Sequence, residues 1–226
     1  MGRSLWRGKN GFTLMEVLIA AAILVIIMAL ATLMFAKAEK MTRTIRYEAD
    51  VSSVMSVMIN EILYGTQTRS IEGLSDANSF VYQNPSAPNL SSNYLIYTNP
   101  SSSSVYYAYL IAPGLNSGPP PEFPYTGTGT DTTLWQGYST SLPSLNWHWQ
   151  SLDFNKKIIL QSGSGFQYYN SDNGLLNNLS LSDSNTYDTA TYVKITLIAK
   201  SNDPALQNMP PVDYETSVRI KNKPSF

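Results

Sequence analysis

The sequence predicts an α+β fold, in which a long N-terminal helix lies against an antiparallel β-sheet. Three observations carry this. Residues 12 to 64 contain no Pro or Gly and are rich in Ala, Leu, Met, Glu and Lys, a composition that favours one uninterrupted helix. Beyond Gly65, apolar residues come in short β-branched or aromatic groups bounded by Pro, Asn, Ser or Gly, as strands do. Two late segments, Tyr192–Lys200 and Tyr214–Lys221, alternate apolar and polar residues with a period of two, which fits a sheet with one covered and one wet face.

The helix has two halves. Val17 to Ala36 contains a single polar side chain, Thr32, and no charge. At ~1.5 Å per residue this run reaches ~30 Å, the thickness of a bilayer's hydrocarbon core. After Ala36 the pattern becomes amphipathic. Tyr47, Val51, Val54, Met55, Met58 and Ile62 recur at spacings of three and four and share a face, and this Met-rich stripe reads as core rather than as a ligand groove. Gly65 stands where a glycine would end the helix. From Phe12 to Tyr64 the helix would extend about 80 Å.

Ser79–Gln83, Asn93–Thr98, Ser104–Ala112 and Lys157–Ser162 join the two late segments as candidate strands. Val193, Ile195, Leu197 and Ala199 form one inner row; Tyr214, Thr216, Val218 and Ile220 form another. Ala112–Thr132, which is Pro-rich, reads as an irregular insertion, and Asn170–Tyr187 as a second polar loop. No internal repeat is present, so residues 37–226 read as one α+β domain.

Charge narrows the function. Removing Arg3, Arg7 and Lys9 from the 15 basic residues leaves 12 against 16 acids, a charge of −4 for the chain without its leader. Between Arg69 and Lys156 there is no Lys or Arg, and the only acids are Glu72, Asp76, Glu122, Asp131 and Asp153. Nucleic-acid binding rests on multiple basic contacts to phosphate, so no nucleic-acid partner is expected, and 15 tyrosines do not make a stacking groove without them. The chain has no cysteine, which excludes thiol catalysis and Cys-ligated metals. Its one histidine, His148, lies in Trp147-His148-Trp149 and reads as sheet packing or a contact patch rather than a catalytic group. Asp172 with Asn173, Asp183 and Asp188 could gather around calcium, but their spacing matches no known loop, and they read as turn formers. No other cofactor and no enzyme activity is expected.

The N-terminus is the most specific part. A leader with Arg3, Arg7 and Lys9 precedes Gly11-Phe12-Thr13-Leu14-Met15-Glu16, and the apolar run follows. The run is too long for an ordinary signal peptide's apolar region and ends without a small-x-small cleavage site. Basic residues flank both ends, so charge counting alone does not fix the topology. The stretch resembles the processing site of type IV pilins and of the pseudopilins of type II secretion: a basic leader, Gly, Phe, a Glu five residues into the mature chain, then an apolar helix. The resemblance implies a leader of residues 1–11 removed by prepilin peptidase after Gly11 and N-methylation of Phe12. It further implies a membrane and fibre-core helix over residues 12–36, and residues 37–226 outside the cytoplasm as a pilin-like domain anchored in the bacterial inner membrane. Glu16 would pair with the α-amine of a neighbouring subunit and set its register, since an unpaired carboxylate among apolar helices is costly. The bland readings are a flexible Gly11 before a helix and a first-turn acid at the headgroup boundary.

A second, weaker resemblance lies in Ile159–Gln161 and Gly165-Phe166-Gln167-Tyr168-Tyr169 through Gly174, and in the paired late strands. Together they are similar to the J-type minor pseudopilin and the W-type minor pilin, although the C-terminal cysteine pair of many major pilins is missing. What this implies is a minor subunit, with other pilin or pseudopilin subunits as partners, that initiates or caps a pseudopilus or pilus. A fibre subunit for adhesion or DNA uptake, and a membrane-anchored periplasmic binding protein, are the alternatives.

Overall fold

A computed structural model of the chain describes residues 12–66, 71–77, 79–80, 93–99, 102–115, 130–140, 147–153, 155–176 and 190–219. The chain divides into two compact units, residues 1–46 and 47–226. In the first, the described structure is the N-terminal part of helix α1 (Leu14–Tyr64). Its large apolar side chains are exposed from Leu14 through Ile45, and α1 is long and apolar enough to cross a membrane. The helix starts two residues later than composition predicts, because Thr13 caps it, and it stops where expected. Gly65 follows at φ +77°, the left-handed conformation that ends a helix without a Cβ penalty.

In the second unit α1 buries Tyr47, Val51, Met55, Met58, Ile59 and Ile62. The predicted stripe is therefore the packed face, with Ile59 added to it and Val54 packed at its margin. Burying each such side chain contributes about 2 kcal/mol relative to exposure. The helix face meets strands from two antiparallel sheets. One sheet runs in the order β3 (Ser79–Phe80), β4 (Tyr94–Asn99), β5 (Ser102–Pro113), β6 (Thr132–Ser139), β7 (His148–Ser151). In the other, β10 (Tyr192–Ser201) lies between β11 (Val212–Arg219) and the pair β8 (Ile158–Leu160) and β9 (Gly165–Tyr169). A short ribbon, β1 (Gly65–Thr66) with β2 (Ile71–Glu72), closes the helix end.

The late strands behave as their alternation predicts. Val193, Ile195, Leu197 and Ala199 are buried while their neighbours are half-exposed. On β11, Tyr214, Thr216 and Val218 are the less exposed row; Ile220 lies outside the described residues. On the wet face Lys194 reaches Glu215 at 2.9 Å, an exposed pair of small energetic weight. Strands β8 and β9 both pair with β10 on the same side. Between them, residues 161–164 form a bulge around Ile198. Gln161 N donates to Ile198 O at 2.7 Å, and the Ser164 hydroxyl donates to the same carbonyl at 3.0 Å and accepts from Ile198 N at 2.9 Å. Gly163, at φ +96°, makes the bend.

The five-stranded sheet departs from the one-wet-face pattern. Leu95, Tyr97, Tyr107, Tyr109 and Leu134 join the helix in the main core. The opposite face carries a second cluster of Tyr94, Ile96, Ala108, Leu110, Ala112, Trp135 and Trp147. Here Gly137 lies across from Trp149, and a Cβ at Gly137 would stand 2.5 Å from the indole ring. Strands β6 and β7 were not predicted. Of the segment expected as an irregular insertion, β5 and the turn after it reach Leu115 and β6 begins at Thr132, while 116–129 lies outside the described residues. Strand β9 falls on the Phe-x-Tyr-Tyr stretch.

A buried polar cluster joins helix to sheet. The Tyr109 hydroxyl donates to Glu61 O at 3.3 Å and accepts from Gln136 Nε2 at 3.0 Å, with the Tyr97 hydroxyl at 3.5 Å. Burial pushes the Tyr109 phenol up to about 12 from an ordinary 10.0, and the neighbouring hydrogen bonds offset this only in part. The folded pKa is the higher one, so the stabilisation is fully present below pH 10.0 and is lost as pH rises towards about 12. The unfolding free energy is expected to fall by about 3 kcal/mol across that window. Tyr109→Phe should flatten this alkaline slope in denaturant titrations at stepped pH; an unchanged slope would assign it to other tyrosines.

Candidate functional site

The start of α1 is built by residues 12 to 16. Thr13 is the N-cap: its carbonyl accepts the first helical bond from Val17 N at 3.2 Å. Its hydroxyl accepts from Glu16 N at 3.3 Å and donates to Glu16 Oε2 at 3.0 Å, and Thr13 N donates to the same oxygen at 2.9 Å. This reciprocal arrangement is a capping box, which satisfies two backbone donors that a helix start leaves unpaired. Sequence reasoning gave Glu16 a role and overlooked Thr13, although Thr-x-x-Glu before an apolar run is a readable signature of such a box.

Phe12 precedes the cap and is 86% exposed; Gly11 and the residues before it lie outside the described residues. Phe12, Glu16, Val17, Ala20, Ala21 and Leu24 line one shallow apolar surface. Its two alanines lower the helix wall beside the carboxylate, where a second helix can approach closely. Glu16 thus occupies the first turn, where the helix dipole favours a negative charge, at the end of a face with no charge until Lys37.

Residues 6–32 match the family model described as the prokaryotic N-terminal methylation motif. The chain carries a type IV pilin-like methylation motif. It spans the residues around Gly11, the capping box and most of the apolar run, and with the long apolar helix it marks the N-terminal segment as that of a type IV pilin-like prepilin-peptidase substrate. The helix packed on antiparallel sheets is the arrangement expected of such a chain. No curated protein and no solved structure matches the chain significantly.

The other singled-out residues fall elsewhere. His148 is exposed at the start of β7 and stacks on Tyr138 with ring centroids 4.9 Å apart. Trp147 and Trp149, stacked on each other at 5.2 Å, belong to the second cluster. Asp172 and Asn173 lie in a turn held by Asn170, whose Oδ1 accepts from Asp172 N at 3.0 Å and Gly174 N at 2.7 Å. Asp183 and Asp188 lie outside the described residues. Among the described residues, no three His, Cys, Asp or Glu side chains gather in a metal-binding arrangement.

Proposed function

We propose that the protein is a minor pilin or minor pseudopilin, a structural subunit rather than an enzyme. Prepilin peptidase cleaves it between Gly11 and Phe12 and methylates the new α-amine of Phe12. Residues 12–36 first hold it in the inner membrane, with residues 37–226 outside the cytoplasm, and then join the core of a pseudopilus or pilus. There Glu16 pairs with the α-amine of a neighbouring subunit. The observation that carries this reading is the methylation motif at residues 6–32. It is continuous with a helix whose first turn holds Glu16 beside the alanine-lined face.

A place in an initiating or tip complex is supported by the Phe-x-Tyr-Tyr stretch at β9, which resembles that of minor subunits. The N-terminal face offers a neighbouring subunit apolar packing and one charge.

Mass spectrometry of the mature protein tests the processing step. The chain is expected to begin at N-methylated Phe12. An intact Met1, or a cut beyond Ala36, would overturn the proposal.

A further inference from the structure

Beyond Ala36 the helix changes from uncharged to cationic within one residue. Lys37, Lys40, Arg43 and Arg46 follow at intervals of three, and all four are exposed. Each step of three turns back about 60° around the helix and rises about 4.5 Å. The four therefore wind around about half of the circumference as a collar rather than lining one face. Glu39 is the only acid in residues 37–46 and pairs with Arg43, which leaves a net charge of +3 over this stretch. Among the described residues of the first unit none is buried, Ala31 and Thr44 alone being half-exposed, so no buried partner there explains that charge.

We propose that this collar binds the phosphate groups of anionic phospholipids in the outer leaflet and fixes the depth of the helix in the membrane before assembly. The inference rests on the membrane-anchored reading above. With Val17–Ala36 filling ~30 Å of hydrocarbon, Lys37 emerges at the headgroup layer and Lys40 about 4.5 Å beyond it. Both lie within the ~8 Å over which a charged surface acts at physiological ionic strength. Helical side chains lean towards the N-terminus, so cations placed after the apolar run lean back to the headgroups. Arg46, about 13.5 Å beyond Lys37 along the axis, is the furthest of the four from that layer. Losing the leader removes Arg3, Arg7 and Lys9 from the opposite end, so in the processed chain the collar holds the basic charge next to the membrane. A neighbouring subunit with acidic side chains is the rival occupant. Lipid is favoured because the collar begins where the ~30 Å apolar run ends, at the depth where phosphates lie.

The chain has no cysteine, so a fluorophore on exposed Thr42→Cys reports from within the collar alone. The full chain is inserted into phosphatidylcholine vesicles containing about one-third phosphatidylglycerol, with a nitroxide quencher on the headgroup of one lipid or the other. An engaged basic residue enriches an anionic lipid roughly five-fold. Quenching through phosphatidylglycerol should therefore exceed quenching through phosphatidylcholine by at least about that factor. The preference should vanish in the combined Lys37→Gln, Lys40→Gln, Arg46→Gln variant, which keeps the Glu39–Arg43 pair, and should shrink at high salt. Equal quenching by both lipids in an inserted chain overturns the inference and leaves the anchored reading standing. A preference that survives in the triple variant, with fibre incorporation lost, also overturns it and assigns the collar to a neighbouring subunit. Failure to insert into either vesicle overturns both.

Discussion

Replacing Glu16 with Ala is expected to give a chain that inserts and is cleaved but enters fibres at least about ten-fold less well than the parent. A hydrogen bond to a charged group contributes about 1.5–3 kcal/mol, and the loss of one such contact between subunits corresponds to roughly a ten- to hundred-fold change in association. The capping box complicates the Ala variant, because it also removes the acceptor for Thr13 N and the Thr13 hydroxyl. Loss of a cap alone costs about 1 kcal/mol. Glu16→Gln separates the two, since Gln serves in a capping box as well as Glu does. If the charge sets register, Gln should assemble as poorly as Ala. If Gln assembles like the parent, the carboxylate acts as a cap and the proposed pairing with a neighbour's α-amine fails. Incorporation is read as the fraction of each variant recovered in sheared fibres against the membrane fraction.

The largest expected effect on stability belongs to Gly73. It follows β2 and packs against the C-terminal end of α1, where a Cβ would stand 2.2 Å from Leu63 O and 2.4 Å from the Tyr64 carbonyl carbon. Both are backbone atoms, and neither can rotate away as a side chain can. Gly73→Ala must push β2 off the helix end, at a cost of ~3 kcal/mol or more. For a unit of this size that lowers the melting temperature by about 10 °C. Gly174→Ala is the contrast. Its Cβ would meet the Asn170 side chain at 3.1 Å, a group at an exposed turn, and the cost should stay near 1 kcal/mol. Similar melting temperatures for the two variants would show that the helix end gives way easily.

The parts legible in the sequence were those where one physical signal dominates. The absence of Gly and Pro gave α1, and Gly65 gave its end. Period-two alternation gave β10 and β11, because that sheet has one wet face and its residues report which side they are on. The Tyr47–Ile62 stripe was legible for the same reason. Strand β6 was not: Thr133, Leu134, Trp135, Gln136 and Gly137 are all buried, since both faces of its sheet are covered, and a strand covered twice has no alternation to read. Gly137 and Gln136 look like turn or surface residues until Trp149 is placed over the glycine and Tyr109 against the amide. At the candidate site the motif itself was legible, since residues 6–32 match it. Thr13 was overlooked because its function lies in the backbone it completes.

The helix face of Tyr47, Val51, Met55 and Met58 has a kinetic consequence. Several of its core partners, Val193, Ile195, Leu197 and Ala199, are separated from it by well over a hundred residues of chain. Closing so long a loop precedes any gain from those contacts, which makes folding slow. As the chain emerges N-terminus first, the helix is complete long before β10 exists to cover it. Until β10 joins, only strands made earlier, such as β4 and β5, whose Leu95, Tyr97, Tyr107 and Tyr109 share that core, are there to cover the stripe, and an apolar face left open so long is prone to aggregate.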